Sequence, residues 1–301
     1  MKNLDLSIVI VSYNTRQLTV DCVQSIKKTV KKTSYEIIVV DNASPDDSVA
    51  ELQKLTKTIP ELKVVANKNN SGFSKANNIG VKKSQGRYVL FLNSDTVVYD
   101  NTLDGMLDFM DRHPQAGAST CFLRIPTGEL DDAAHRGFPT PWRALTKFSG
   151  LSKIFPNSKI FAGYNMTYLS LDNTHEVEAL AGAFMLVRRE AGDAAGWWDE
   201  DYFFYGEDID FCYTLAEHGW KIYFVPEFEI LHYKGASGGI KKASEKITTA
   251  TRETRKKVTD ARFAAMRIFY DKHYKKRYPA ILRNLVLLGI SVKKFFAERS
   301  L

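Results

Sequence analysis

Residues 6–14, LSIVIVSYN, set how the rest of the chain is read. A continuous, largely β-branched run stops there at three polar residues, and YEIIVVDNAS repeats the pattern from residue 35. Strands that are apolar on both faces belong in a sheet covered on both sides, the usual setting of parallel pairing. Between the two runs, QLTVDCVQSIKKT has helical spacing, with Leu18, Cys22 and Ile26 on one side. The three segments together predict a βαβ unit.

The alternation continues outward. LKVVANK reads as a third strand, FSKANNIGVKKS as a helix, RYVLFLNSD as a fourth strand, and TLDGMLDFMDRH as a helix that ends before Pro114. Such a series predicts an open, mostly parallel α/β sheet of Rossmann-like type with helices on both faces. After residue 124 the pattern loosens through HRGFPTPWRAL and FPNSKIFAGYN, which predicts a long irregular insert. VEALAGAFMLVRRE and WKIYFVPEFEILHY are strand-like, and from about residue 242 the chain reads as helix to its end.

In an open α/β sheet, ligands bind beyond the carboxyl ends of the strands. Here every such end is polar: Ser12, Tyr13 and Asn14; Asp41, Asn42 and Ser44; Asn67 and Asn70; Asn93 and Asp95. One such end makes a turn; four together predict a shared polar site. No Gly-x-Gly-x-x-Gly follows the first strand and no Walker-type Gly-Lys-Ser/Thr occurs, which argues against dinucleotide and P-loop binding. In Asn93-Ser94-Asp95, Asp95 and the Asn93 amide put oxygen ligands at a strand end, where Mg2+ or Mn2+ would share its coordination with substrate phosphates, although taken alone the triplet reads first as a turn. FFYGEDIDFC, residues 203–212, crowds Glu207, Asp208 and Asp210 against aromatic rings. The plainest account of that crowding is an acidic first turn of a helix running toward TLAEHG.

Composition narrows the class further. The 301 residues are 44% hydrophobic and 26% charged, as in a soluble globular protein. Of the net charge of +7, residues 241–301 hold 17 Lys and Arg against 5 Asp and Glu, and the remainder holds 25 against 30. A basic tail on an acidic body points to an anionic surface. AILRNLVLLGISVKKFFAE, from Ala280, is too short and too interrupted by Arg283 and Asn284 to span a bilayer. On a helix, Ile281, Leu285, Leu288, Val292 and Phe295 share a stripe opposite Arg283, Asn284 and Lys294, as in a helix lying on an anionic leaflet. The other reading of that stripe is packing onto the domain or a second subunit. No RNA-binding aromatic signature accompanies the charge, so no nucleic-acid partner is expected. Cys22, Cys121 and Cys212 lack metal-type spacing and leave one unpaired in any disulfide scheme, which suits a reducing, cytoplasmic setting. The first apolar stretch lacks a cleavage site and reads as a strand, not a signal peptide.

The series VSYN, VVDNAS, NNSGFSKANNIG, FLNSD, LAGAFMLVRRE, WWDEDYFFYGEDIDFC and HYKGAS resembles, in order and spacing, the family 2 glycosyltransferases, nearest the bacterial rhamnosyltransferase-like branch. The resemblance covers roughly residues 6–238. It implies a GT-A fold over residues 1–240, with a nucleotide-sugar half to about 124, an acceptor half over about 125–240, and a basic helical extension over 241–301. It implies Asp41 at the base, Ser12, Tyr13 and Asn14 lining the nucleoside pocket, and Asn70, Gly72, Phe73, Lys75 and Asn78 beside the diphosphate. Asp95 matches the metal-binding aspartate, with Asn93 where a strict Asp-x-Asp has its first acid and Ser94 where many relatives have proline. His232 matches a histidine that contacts metal or diphosphate. Asp208 matches the general base, with Gly182, Ala183, Arg188, Trp198 and Glu207 toward the acceptor, while Asp210 caps or pairs. The activity so implied is inverting transfer, with Mg2+ or Mn2+, of a sugar to a cell-surface glycan acceptor, free or lipid-linked, on the inner face of the cytoplasmic membrane. The leading donor is dTDP-L-rhamnose. A UDP-hexose or UDP-N-acetylhexosamine is the same-class alternative; a nucleotide-binding scaffold without turnover, or a protein that binds nucleic acid through its basic tail, is the alternative of another class.

Overall fold

The computed structural model describes residues 4–235 and 251–299. Strand β1 (Leu6–Ser12), helix α1 (Arg16–Thr29) and strand β2 (Tyr35–Asp41) form the expected unit. β1 and β2 pair in parallel from Leu6 opposite Tyr35 to Ser12 opposite Asp41, so their polar ends finish side by side. β3 (Leu62–Ala66) joins β2 and β4 (Tyr88–Asn93) joins β1, both in parallel. Between these strands lie α2 (Ser48–Leu55) and α3 (Phe73–Lys83). The inward face of α1 is Cys22, Val23 and Ile26, with Leu18 only half-buried.

Next come β5 (Thr96–Val98), α4 (Thr102–Arg112), β6 (Ala116–Arg124), the short helices α5 (Pro141–Phe148) and α6 (Leu151–Ile154), and β7 (His175–Glu176). β8 (Phe184–Arg188), α7 (Arg189–Ala195), α8 (Glu207–Glu217) and β9 (Lys221–His232) complete the sheet region. Among the described residues the strands make one sheet, ordered β3-β2-β1-β4-β8-β6-β9-β5, with β7 beside β9. β8 is antiparallel to β4 and β6, and β9 pairs in parallel with β6. The architecture is of GT-A type.

The pleat explains the two cores. Ile8 and Ile10 point to the face covered by α1 and α4, where Cys22, Ile26 and Met106 meet them. Val9 and Phe91 point to the other face, against Val187, Trp198 and Phe211. β6 was not legible in the sequence: AGASTCFLR mixes small and polar residues, and its central place between β8 and β9 makes it a strand. The insert after residue 124 is likewise less irregular than its sequence suggests, since it contains α5 and α6.

Two further helices follow, α9 (Arg252–Phe269) and α10 (Ala280–Arg299), with a π-helical turn at Tyr270–Tyr274 between them. Phe269, Tyr270 and Tyr274 pack on Tyr202 and Tyr213, which fastens this basic extension to the domain. The helix expected from residue 242 falls partly outside the described residues, as do Ala236 and Ser237 of HYKGAS. Among the described residues no helix is long and apolar enough to cross a membrane. All three cysteines are buried and unpaired.

Candidate active site

The strand ends are tied together by their own polar groups. Asn42 is the hub: its amide nitrogen donates to Asn70 Oδ1 (2.9 Å) and to the Gly72 carbonyl (3.2 Å). Its oxygen accepts from Asn67 Nδ2 (3.0 Å) and from the Ser71 amide and hydroxyl (3.1 Å each). Asp41, buried beside it, accepts from the Ser44 amide (2.9 Å) and hydroxyl (2.5 Å), and Ser44 Oγ in turn accepts from the Asn14 amide (2.9 Å). Ser12 and Ser94 are buried in a hydroxyl cluster with Thr15 and Thr19, the two shortest contacts being 2.9 and 3.0 Å. Half-buried Tyr13 lies at this end, next to a cavity of about 360 Å³ lined in part by Asn14, Thr15 and Asp46.

Gly72 starts α3 at φ 86, where L side chains are strained, and a Cβ there would stand 2.7 Å from the Phe203 carbonyl oxygen. That closeness lets the Phe73 amide donate to the same carbonyl (2.8 Å). Phe73 also packs edge-on against Trp198 and Phe204, and Gly182 leaves it room. The start of α3 is therefore where the two halves of the sequence meet. Lys75 is exposed one turn on. Asn78 turns the other way, bonding the Trp198 backbone at both its amide nitrogen (2.9 Å) and oxygen (3.2 Å), so it anchors α3 and is not aimed at a ligand.

At the end of β4, Asp95 and His232 are both buried, with Asp95 Oδ1 3.4 Å from His232 Nε2. Asn93 Nδ2 is also 3.4 Å from that nitrogen, and the Ala183 carbonyl accepts from the Asn93 amide (3.0 Å). His232 Nδ1 lies 3.0 Å from Asp131, which Lys234 also meets at 2.6 Å. Burial opposes a charge on His232, but Asp95 and Asp131 outweigh it and raise its pKa to about 9. Among the described residues no three His, Cys, Asp or Glu side chains converge as a metal cage. Asp95 Oδ1 and His232 Nε2, 3.4 Å apart, fit one divalent ion once the ring gives up its Nε2 proton, which a bound cation favours. Asp131 behind His232 supplies the carboxylate that fixes the ring of a ligating histidine.

The three crowded acids have three different surroundings. Asp208, in the first turn of α8, receives Arg136 Nη2 at 2.7 Å, and Arg136 also donates to the Leu180 carbonyl at 2.7 Å. Glu207 is buried with Oε2 lacking a hydrogen-bond partner among the described residues. Burial first, and Asp208 second, push its pKa up to about 8. Asp210 is buried and accepts from Tyr202 (3.2 Å), Lys272 (2.9 Å) and His273 (2.7 Å), so it joins α8 to the π-helical turn. Tyr205, just before α8, has a left-handed backbone at φ 70. Its hydroxyl pKa is raised, by burial first and also by Glu207, Asp208 and Asp95. The short stretch from Asp131 to Arg136 joins the two groups, meeting His232 at one end and Asp208 at the other.

Two acceptor-side expectations fail on geometry. Arg188 lies at the far end of β8, where its guanidinium donates to the carbonyls of Ala116, Met110 and His113. Trp198 is 2% exposed, enclosed by Phe73, Phe91 and Phe211, and has no ring face left for a sugar. Gly182 and Ala183, by contrast, do lie beside Phe73 and Asn93. Sequence reading missed Arg136 and Asp131. Both lie in the aperiodic stretch after residue 124, and only their partners about 70 and 100 residues away identify them.

The model of the family described as Glycosyl transferase family 2 matches residues 7–171. The N-acetylglucosaminyl-diphospho-decaprenol L-rhamnosyltransferase of Mycobacterium tuberculosis (strain ATCC 25618 / H37Rv) is 29% identical over 219 residues, 69% of each chain. Rhamnosyltransferase WbbL of Escherichia coli (strain K12) is 28% identical over 172 residues, 54% of this chain and 61% of that one. The crystal structure of GalNAc-T7 with UDP, GalNAc and Mn2+ covers 77% of this chain with a TM-score of 0.57 at 19% identity. This chain spans 44% of that one, and the likeness is one of fold.

Proposed function

We propose, from the premise that this chain belongs to glycosyl transferase family 2, that it transfers a sugar from a nucleotide diphosphate to a glycan hydroxyl by single displacement with inversion. The short stretch from Asp131 to Arg136, which meets the Asp95–His232 pair at one end and Asp208 at the other, is the observation that carries this reading. In it, Asp208 takes the proton from the attacking hydroxyl as the new C–O bond forms and the bond to the diphosphate breaks. Arg136 holds the carboxylate in place for that transfer. Asp95 and His232 would hold Mg2+ or Mn2+, with Asn93 close by. When bound, such an ion supplies charge stabilisation for the departing diphosphate. Lys75 adds a cation near the start of α3.

The donor in this reading is dTDP-L-rhamnose: the rhamnosyl group is supported by the names of two relatives, and dTDP follows from the resemblance of the sequence motifs. A UDP-hexose or UDP-N-acetylhexosamine is the second reading, supported by the UDP held in the GalNAc-T7 structure. The acceptor is a lipid-linked cell-surface glycan, a choice supported by the decaprenol in the mycobacterial name. The enzyme then works on the cytoplasmic leaflet, where the exposed apolar stripe of α10 rests on anionic lipid. Calorimetric titration with dTDP-L-rhamnose, UDP-glucose and UDP-N-acetylglucosamine, each with and without Mg2+ or Mn2+, tests this. Metal-dependent binding of dTDP-L-rhamnose alone is the expected result. Preference for a UDP-sugar replaces the donor, and no binding under any condition overturns the reading in favour of a scaffold.

A further inference from the structure

The apolar stripe of α10 does not end at α10. α5 exposes Trp142, Leu145 and Phe148, three residues apart on one face, while Thr146 and Arg143 turn inward. Ile154 and Phe155, at the end of α6, are also exposed, at 67% and 47%. The two regions touch: Lys293 of α10 sits 3.2 Å from the centre of the Phe148 ring. Phe296 lies one turn beyond Lys293 and is 64% exposed.

Charge distinguishes this surface from an ordinary subunit contact. Residues 141–160 contain four Lys or Arg and no Asp or Glu, and residues 280–299 contain four against one. At the seam, burial lowers the pKa of Lys293, and so do Arg262 and Lys147. Lys147 is lowered by burial and by Lys153, Arg136 and Lys234, against an opposite pull from Asp132. Cations gathered beside exposed aromatic and aliphatic side chains match the phosphates and acyl boundary of an anionic bilayer. The same stretch of chain reaches the catalytic base. Arg136, which holds Asp208, is five residues before Pro141, at most about 18 Å of extended backbone.

We propose that α5, α6 and α10 form one bipartite docking face for an anionic lipid surface, with Lys147 and Lys293 at the seam binding lipid phosphate. The proposal rests on the reading of a membrane-bound acceptor and adds that the insert between β6 and β8, not α10 alone, sets how the site meets the membrane. A sugar carried on a lipid diphosphate would then rise beside Arg136 toward Asp208.

The test is flotation of the full chain with phosphatidylglycerol and with phosphatidylcholine vesicles. Three variants are compared with the wild type: Leu145→Ser with Phe148→Ser, Leu285→Ser with Leu288→Ser, and Lys147→Glu with Lys293→Glu. Far-UV circular dichroism and thermal unfolding, run in parallel, confirm that each variant is folded. Each apolar pair is expected to weaken partitioning on the order of tenfold or more. The charge pair is expected to abolish the preference for phosphatidylglycerol. If the α5 pair floats like wild type while the α10 pair does not, the bipartite face is wrong and membrane binding through α10 stands. If the wild type does not float on either vesicle, both fall. If Leu145→Ser with Phe148→Ser instead turns a dimer into a monomer by light scattering, the face is occupied by a second copy and the lipid assignment is overturned.

Discussion

The two halves of the sheet region hold their polar residues in opposite ways. Before residue 124 the strand ends are tied chiefly by neutral groups bonded to near neighbours, with Asn42 joining Asn67, Asn70, Ser71 and Gly72 within 31 residues; Asp41, held by Ser44, and Asp95, paired with His232 from β9, are the exceptions. After it, the site is built from charges paired across long stretches: Arg136 with Asp208, Arg143 with Glu178, and Asp210 with Lys272, with His273 also bonded to Asp210. The first arrangement makes a rigid floor of turns and strand ends. The second fixes helix α8 from two sides, by the insert through Arg136 and by the C-terminal extension through Asp210.

That contrast can be broken by single substitutions. Replacing Arg136 by Met leaves the Asp208 carboxylate in a mostly buried setting without its partner, and is expected to cost about 4 kcal/mol. Urea unfolding checks this, and a loss under about 1 kcal/mol would show that the long-range pair does not hold the second half. Gly72→Ala attacks the floor where the halves meet. A strained φ and a Cβ 2.7 Å from the Phe203 oxygen are expected to cost about 3 kcal/mol, read from the same unfolding curves.

Glu207→Gln sharpens the comparison from the other direction. The folded protein raises the Glu207 pKa to about 8, so between the unfolded value near 4.5 and pH 8 the native state keeps a proton that the unfolded chain releases. Its stabilising contribution is therefore complete below about pH 4.5 and is lost as pH rises toward 8. The Gln variant, neutral throughout, is expected to be about 2 kcal/mol more stable than wild type near pH 6, with the gap widening by up to about 1.4 kcal/mol per pH unit before levelling near pH 8. Thermal unfolding at pH 5, 6, 7 and 8 reads the gap directly, and a gap that stays constant contradicts the buried, protonated acid.

The same contrast explains what the sequence could convey. β1, β2 and β4 were legible because runs such as LSIVIV carry their own pattern, and their polar ends lie close because the registers are in step. Asn42 was visible as a strand end. Arg136 was not, because an arginine between His135 and Gly137 has no local period and its meaning depends on Asp208, 72 residues on. Trp198 and Arg188 misled for the converse reason. Their neighbours in sequence belong to the site, while their side chains are held by core rings and by backbone carbonyls at the far end of β8. β6 was hidden because its strand character comes from the partners on either side.

The central claim is that Asp208 acts as the base at a site whose donor pocket is built separately from it. Transfer by Asp208→Asn, measured beside calorimetric binding of the donor nucleotide sugar, tests that claim most directly. The account predicts a fall in turnover of about a thousandfold or more with donor affinity unchanged within about twofold. Turnover within about tenfold of wild type would remove Asp208 from the chemistry, and a parallel collapse of donor binding would show that the two halves are not separate.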